Sequence, residues 1–302
     1  MNILLVGWNR LGKKKKSNWN HEFFRRELAR QHNVVFFGSG YGEYDGNLQG
    51  ILKKHPETDI VLVHFEHRAR ALARGLDQIK DISKVHIMGG DYDKRCFNGY
   101  NKHFNKINYD IIFFRYALQE KRLKENSIGG IHYLLPWSVN TDLYYNYELE
   151  KTIDVMSSFH TSNIHPYRYN ILNIVYKMDV TSYLKPIYFE EYIKKINESK
   201  MFITSNVFER ELSGKYYEVM ACGTLLLTTE PDDLNKLGFY NNKHLIVYKD
   251  DFSDLQDKIE YFLKHDKERE EIAKNGMDMV RNRHSHKVRV KEFTSIVEAE
   301  IG

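Results

Sequence analysis

The sequence predicts an α/β protein with two similar domains, each built on a parallel sheet. The chain has 302 residues, which is long for one core and suits two domains of about 150 residues each. Its candidate strands are short, almost continuously apolar and separated by helical segments. Such strands are typical of parallel sheets that helices cover on both faces. We therefore expect two Rossmann-like domains whose sheets face a central cleft.

The first half of the chain supplies six candidate strands. They are NILLVG (2–7), NVVFFGSG (33–40), DIVLVHF (59–65), KVHIMGGD (84–91), YDIIFFR (109–115) and IHYLLPW (131–137). Apolar residues that recur at helical spacing predict helices over 17–31 and 68–79. The periodicity lapses over 136–152, where Pro136, Asn140 and Asp142 indicate a linker.

The same alternation restarts after the linker and predicts a second domain. Candidate strands fall at 153–159, 179–184, 201–206, 224–230 and 244–250. Candidate helices fall at 167–178, 189–200, 213–223, twice within 252–284, and at 286–301. We place the two domains at 1–140 and 141–285. Ligands of open α/β sheets bind at the carboxyl ends of the strands, so we expect the site in the cleft between them.

The composition is that of a soluble globular protein and narrows the classes of function. Hydrophobic residues make up 42% and charged residues 28%, and no apolar run approaches the ~20 residues of a membrane-spanning helix. The lysines at 13–16 follow the first apolar stretch, whereas a signal peptide has them before it. Cys96 and Cys222 lie far apart, without metal spacing. We expect a cytoplasmic protein without structural zinc.

The stretch KYYEVMACGTLLLTTE, residues 215–230, carries the strongest chemical signal. Lys215 and Glu218 are three residues apart, on one face of the predicted helix 213–223. A helix N-terminus offers free N–H groups and a positive dipole end, so with Lys215 and Arg210 it would hold a diphosphate. Glu218, one turn further, would accept hydrogen bonds from two ribose hydroxyls. The alternative is an exposed ion pair on an ordinary helix.

The longer stretch SGKYYEVMACGTLLLTTE resembles the signature of the group 1 glycosyltransferases with the GT-B fold. Their pattern is roughly Lys/Arg-x-x-Glu-x-Met-Ala-x-Gly-x-x-Leu/Val. The closer resemblance is to the spore-maturation-protein-like branch, and the tail from VYKDDFSDL to HSHKVRV follows the order of that branch. The likeness covers about residues 151–293. It implies a retaining sugar-nucleotide-dependent transferase with a C-terminal donor domain, an N-terminal acceptor domain, and a final helix, 286–302, that returns to the N-terminal domain.

The resemblance assigns roles to residues of the donor half. Glu218 matches the glutamate that binds the donor ribose, and Lys215 matches the basic residue at the diphosphate. Many relatives carry a second glutamate eight positions before Glu218, where this sequence has Arg210. That departure affects the contacts to the sugar and the stereochemical outcome. Arg210, Tyr217 and Asn206 are the further donor-binding candidates in this region.

A second donor element is the loop SSFHTSNIHPYR that follows strand 153–159. His160 would face the sugar and is a catalytic candidate, whereas Arg168 would reach the phosphate. After the first strand, Gly7 would let backbone amides approach a phosphate or a sugar. The alternatives are an ordinary surface loop and a helix arginine that binds no ligand.

The acceptor side of the site is expected on the N-terminal domain. Asp91 would orient or deprotonate an acceptor hydroxyl, although it could equally cap a helix. Lys13 and Lys14 would attract an anionic acceptor, or else belong to a solvated loop. His64 would contact the acceptor, or else lie satisfied in the core. The Asp-Tyr-Asp run at 91–93 is like a metal-binding DxD motif, but it lies in the half opposite the donor.

The sequence therefore predicts an enzyme, a hexosyltransferase that uses a nucleotide-diphosphate sugar, with a UDP-sugar favoured. The acceptor would be a hydroxyl of a glycan, a protein, a small molecule or modified DNA, with no cofactor and no metal ion. Two alternatives stay open. One is a glycosyltransferase specific for modified bases of DNA, which the mildly basic net charge of +4 permits. The other is a nucleotide-sugar-binding protein without catalytic activity.

Overall fold

The computed structural model describes residues 1–8, 19–38, 40–41, 47–64, 75–89, 94–159, 167–205 and 210–302. These residues form two compact units. The first unit consists of Met1–Pro136 and Lys287–Gly302, and the second of Trp137–His286. Among the described residues, no helix is both long and apolar enough to cross a membrane.

The first unit is built on a six-stranded parallel sheet of order β2-β1-β3-β4-β5-β6. Its strands are β1 (Asn2–Val6), β2 (Asn33–Phe37), β3 (Ile60–His64), β4 (Ser83–Ile87), β5 (Ile111–Phe114) and β6 (Ile131–Leu134). The apolar residues of β1 alternate between two cores, because successive side chains of a strand point to opposite faces. Leu4 and Val6 join one core, whereas Ile3 and Leu5 join the other.

Helices cover both faces of this sheet, as the apolar strands require. Within the described residues they are α1 (Trp19–Gln31), α2 (Leu48–Lys54), α3 (Lys94–Ile107), α4 (Ala117–Glu125) and α10 (His286–Ile301), and Leu76–Gln78 forms a 3-10 turn. The side chain of Asn47 caps α2 by accepting a hydrogen bond from the Gly50 N–H at 2.9 Å. The final helix α10 contributes Val290, Phe293 and Val297 to the core that holds Ile3 and Leu5.

The second unit contains a five-stranded parallel sheet of order β11-β10-β9-β7-β8. The strands are β7 (Ile153–Met156), β8 (Ser182–Tyr183), β9 (Ser199–Ile203), β10 (Leu225–Thr228) and β11 (Ile246–Val247). The helices are α5 (Tyr167–Val175), α6 (Phe189–Asn197), α7 (Gly214–Ala221), α8 (Leu255–Lys264) and α9 (Asp266–Arg283). Helices α7 and α9 pack against each other, and both contact β10.

Gly276 is the residue of α9 that allows a close approach in this packing. A Cβ atom at this position would lie 2.4 Å from the backbone oxygen of His244 and 3.2 Å from the sulfur of Met220. Met220 belongs to α7, so the missing side chain lets α9 lie directly against the helix that carries Lys215 and Glu218.

The structure confirms the predicted α/β class with two parallel sheets. It differs in detail at the edges: the strands expected over 179–184 and 244–250 shrink to the two-residue strands β8 and β11. Both are edge strands that pair with a single neighbour, so fewer ladder bonds define them. Of the helix expected over 68–79, residues 68–74 lie outside the described residues and 76–78 form the 3-10 turn. Helices α2, α3 and α4 were not predicted.

Candidate functional site

The carboxyl edge of the second sheet brings together the residues that directly follow β7 and β9. The two strands are parallel neighbours, with Met156 opposite Phe202, so their carboxyl ends lie side by side. Beyond the pairing, the Ser157 hydroxyl donates a hydrogen bond of 2.7 Å to the Ile203 carbonyl. Helix α7 starts from the β9 side of this edge and leads into β10, which places its N-terminus and positive dipole end here.

Lys215 lies in the first turn of α7 and reaches the loop that follows β7. Its ammonium group donates a hydrogen bond to the backbone carbonyl of Ser158. Burial, aided by repulsion from Arg168 and opposed by the charge of Glu218, lowers the pKa of Lys215 to about 8. A lysine in this state is a cation with little water around it, and an incoming anion would restore its lost solvation.

Arg168 brings a second positive charge to the same edge, from the first turn of α5. Its guanidinium carbon lies 5.3 Å from the ring centroid of Phe159, within the range of a cation–π interaction. Burial lowers the pKa of Arg168 as well, yet an arginine stays charged at any physiological pH. Lys215 and Arg168 therefore create a positive potential where β7 and β9 end.

Glu218 follows Lys215 by three residues on the same helix and is half-buried. Burial raises the pKa of Glu218, whereas the charge of Lys215 and the hydroxyl of Tyr192 oppose this rise. The carboxylate also acts on Tyr144, whose pKa lies well above its ordinary value, first because of burial and then because of Glu218. Lys215 and Glu218 are thus both half-buried, unlike an exposed ion pair on a surface helix.

Arg210 precedes α7 and its guanidinium is held by carboxylates. Its Nε donates to Asp232 Oδ1 at 2.6 Å and its Nη1 donates to Asp250 Oδ2 at 2.7 Å. These two partners raise the pKa of Arg210. In this arrangement a diphosphate would have to compete with two carboxylates for the same guanidinium group, so Arg210 is a weaker anion-binding candidate than Lys215 or Arg168.

Tyr217 has its side chain in the interior of the second unit. It has no exposed surface, and its ring centroid lies 5.9 Å from that of Phe239 and 5.2 Å from that of His284. The residue stays a donor-binding prediction, but the geometry gives it a packing role on the side of α7 away from solvent.

The first unit places Gly7 and His64 around the buried side chain of Arg25. The Gly7 N–H donates to the Phe37 carbonyl at 3.0 Å, and a Cβ at Gly7 would lie 3.0 Å from the Arg25 guanidinium carbon. Arg25 Nε donates to His64 Nδ1 at 3.3 Å, and Arg115 Nη2 lies 3.5 Å from His64 Nε2. Burial and the charges of both arginines hold the pKa of His64 well below its ordinary value.

The remaining predicted site residues lie outside the described residues. They are the catalytic candidates Asp91 and His160, the donor-binding candidate Asn206, and the acceptor-binding candidates Lys13 and Lys14. Within the part of the chain that is described, no group of histidine, cysteine, aspartate and glutamate residues is arranged to hold a metal ion.

Sequence reasoning missed four residues near the predicted site residues. Tyr144 and Tyr192 lie near Glu218, and Arg25 and Arg115 contact His64. The arginine at the end of YDIIFFR carried a usable signal, because a charged residue directly after a buried strand falls at the carboxyl edge of the sheet. Nothing in the sequence pointed to the tyrosines, since they reach Glu218 from other segments of the chain.

Comparison with known proteins finds a family match that covers most of the second unit. Residues 152–295 match the family model described as glycosyl transferase-like. No curated protein matches the sequence significantly. The matched segment contains Lys215, Glu218 and Arg168, so the cluster at the carboxyl edge lies within it. The finer resemblance to the spore-maturation-protein-like branch stays a prediction.

Solved structures with a similar fold span almost the whole chain. HepE of Anabaena in complex with UDP and glucose has a TM-score of 0.77 at 9% identity, over 99% of this chain and 100% of that one. Sucrose-phosphate synthase from Thermosynechococcus elongatus has a TM-score of 0.69 at 11% identity, over 99% and 98%. A glycosyltransferase from Rickettsia africae has a TM-score of 0.67 at 12% identity, over 99% and 98%. Residues 152–295 are thus similar to a glycosyl transferase-like family, and the chain shares the two-sheet α/β fold of these GT-B structures.

Proposed function

We propose that the protein is a glycosyltransferase that moves a hexose from a nucleotide-diphosphate sugar, a UDP-sugar by preference, to a hydroxyl acceptor. The observation that carries this proposal is the convergence of Lys215, Arg168 and Glu218 at one sheet edge within the glycosyl transferase-like segment. The similar HepE structures, bound to UDP-glucose or to UDP and glucose, support the choice of donor.

The diphosphate of the donor would lie between Lys215, Arg168 and the N-terminus of α7. Ser213 precedes this helix in an extended conformation and its side chain makes no capping hydrogen bond, which leaves first-turn N–H groups for an anion. As the sugar leaves, negative charge grows on the diphosphate. Fixed positive groups at that point lower the barrier, because they bind the transition state more strongly than the ground state.

The ribose of the donor would bind to Glu218. An ionised carboxylate only accepts hydrogen bonds, and its two oxygens match the two neighbouring hydroxyls of a ribose. The carboxylate has to be ionised for this contact, and the nearby Lys215 charge favours that state despite the burial.

We further propose that transfer proceeds with retention of configuration and without a metal ion. Basic groups stand where metal-dependent transferases use carboxylates to hold a cation, and the leaving phosphate would take the acceptor proton on the same face of the sugar. Asp91 and His160 stay candidates for orienting the acceptor and the sugar. Activity should persist in EDTA, whereas complete loss that Mg²⁺ or Mn²⁺ restores would contradict the role of Lys215 and Arg168.

Calorimetric titration of two variants with UDP and with uridine tests the donor site. Glu218→Gln keeps the size of the side chain but adds a donor, so UDP and uridine should both bind roughly ten- to a hundredfold more weakly. Lys215→Met should weaken UDP and leave uridine almost unchanged, because uridine has no diphosphate.

Two exposed residues of the same unit provide matched controls. Glu260→Gln and Lys274→Met make the same chemical changes on helices α8 and α9, and both should bind UDP like the wild type. The donor-site assignment fails if Glu218→Gln binds UDP as tightly as the wild type. A thermal-shift panel of UDP-, GDP-, ADP- and TDP-sugars then identifies the donor, since ligands that bind the native state raise its melting temperature.

A further inference from the structure

Tyr192 on α6 has a buried hydroxyl group next to the Glu218 carboxylate. The residue is 7% exposed, and its hydroxyl oxygen is shielded from solvent without a direct hydrogen bond to a protein atom. Leaving a buried polar group without a partner costs about 1–3 kcal/mol, so such groups usually serve a purpose. The acceptor beside this hydroxyl is Glu218: each group shifts the pKa of the other, and the interaction favours the ionised carboxylate.

The surrounding structure fixes the ring of Tyr192. It packs edge-on against Phe202 of β9, with ring centroids 6.4 Å apart and an angle of 82° between the planes. The end of α6 is tied to the preceding linker through Asn197, whose side chain accepts from the Tyr147 N–H at 2.8 Å and donates to the Ile193 carbonyl at 3.0 Å. The hydroxyl is therefore held in place before any ligand arrives.

We propose that Tyr192 is a positioning residue of the donor site: its hydroxyl donates to Glu218 from the protein side and fixes the carboxylate for the ribose hydroxyls. A carboxylate has about four lone-pair positions, so one donor from the protein leaves enough of them for two hydroxyls. Holding the carboxylate in the bound orientation removes an ordering cost from binding. This inference rests on the proposed function, because the ribose contact of Glu218 belongs to that proposal.

Tyr144 offers an internal control for this role. It is also 7% exposed and close enough to Glu218 to feel its charge, but the influence between them is electrostatic. Tyr144→Phe and Tyr192→Phe remove the same atom from equally buried positions around the same carboxylate. Of the two hydroxyls, only that of Tyr192 lowers the pKa of Glu218.

The first measurement is a carbon NMR titration of the Glu218 carboxyl group without ligand, assigned with Glu218→Gln. The Tyr192 hydroxyl stabilises the ionised form, so Tyr192→Phe should raise the pKa of Glu218. Tyr144→Phe should leave it close to the wild-type value. Thermal melting shows whether each variant is folded, so that a pKa change caused by unfolding is recognised.

The second measurement is calorimetry with UDP and 2′-deoxy-UDP from neutral to acidic pH. Tyr192→Phe should bind UDP about five- to tenfold more weakly, by the loss of one hydrogen bond to a charged group. Since the ionised carboxylate binds the ribose, a higher pKa means that affinity is lost at a higher pH as the solution is acidified. The preference for UDP over 2′-deoxy-UDP should also shrink, whereas Tyr144→Phe should keep it.

The outcomes separate this inference from the proposed function. If Glu218→Gln binds UDP more weakly than the wild type, but Tyr192→Phe changes neither the Glu218 pKa nor the preference for the 2′-hydroxyl, the positioning role is overturned alone. A wild-type protein that binds neither UDP nor any nucleotide sugar of the thermal-shift panel overturns the proposed function, and the ligand-free titration still decides the contact between Tyr192 and Glu218. In the double variant that combines Tyr192→Phe with Glu218→Gln, the two losses of UDP binding free energy should not add, because Tyr192 acts through Glu218.

Discussion

Lys215 combines a positive charge with burial, and this combination makes nucleotide binding sensitive to pH. With its pKa lowered to about 8, the side chain is largely protonated at pH 7 and loses its proton in mildly alkaline solution. Only the protonated amine attracts the diphosphate, so UDP affinity should be steady below about pH 8. Above it, affinity should fall by up to about tenfold per pH unit, until the amine of the complex itself titrates.

Calorimetry of UDP on Lys215→Arg checks this pH dependence. An arginine stays charged over the whole range, so the variant should bind UDP with little change between neutral and alkaline pH, although with altered geometry. Uridine serves as the control ligand, because its binding should not follow the Lys215 charge. An equal alkaline loss of UDP affinity in wild type and Lys215→Arg would assign the effect to another group.

The individual site residues differed in how well the sequence could predict them. Lys215 and Glu218 share a helix face because they are three residues apart, and that follows from the helical repeat alone. The same repeat turns Tyr217 about 200° away from Lys215, which explains why its ring lies among core aromatics. Tyr192 could not be predicted, because its approach to Glu218 depends on how α6 packs in the second unit.

The packing of α9 on α7 depends on the missing side chain of Gly276. In Gly276→Ala the new methyl group would meet the His244 backbone oxygen at 2.4 Å, so the backbone would have to move. Overpacking of this kind costs about 1–3 kcal/mol, although alanine favours helix more than glycine does. We therefore expect a lower free energy of unfolding, measured by urea denaturation, and weaker UDP binding because α7 carries Lys215 and Glu218.

Glu271→Ala supplies the control for Gly276→Ala. It places alanine at an exposed position of the same helix and should change stability by less than about 0.5 kcal/mol. If Gly276→Ala is as stable as the wild type, α9 does not lie as close to His244 as described.

Among the elements, buried strands were the most predictable. The central strands β1, β3 and β9 each contain a continuous apolar run, and each pairs on both sides. The edge strands β8 and β11 are shorter than expected, since each pairs with its single neighbour over only two residues. The missed helix α2 has only seven residues and two buried ones, too few for its periodicity to stand out.

At the scale of the whole chain, helix α10 follows the second unit in sequence but completes the core of the first. Phe293 has no exposed surface, and its ring centroid lies 5.2 Å from that of Phe113 on β5. Phe293→Ala should therefore destabilise the first unit by about 3–5 kcal/mol.

Amide hydrogen exchange, followed separately in the two units, shows which unit Phe293→Ala destabilises. Amides of β1, β3 and β5 should exchange faster in Phe293→Ala, whereas those of β7, β9 and β10 should keep their wild-type protection. Faster exchange of the second sheet alone would contradict the assignment of α10 to the first unit. The roles of the units as acceptor and donor domains stay predictions that this experiment does not address.

The first unit consists of two separate segments of the chain, and this arrangement affects how the chain can fold during translation. At roughly 5–20 residues per second, the ribosome needs about eight to thirty seconds to translate the segment from Trp137 to His286. During that time β1–β6 have emerged, but the helix that brings Val290, Phe293 and Val297 has not. Domains usually mature from the N-terminus onward, yet here the later, uninterrupted unit can reach its native state first. The nascent first sheet keeps an apolar face uncovered in the meantime, which makes it a natural client for chaperones that bind exposed hydrophobic chain.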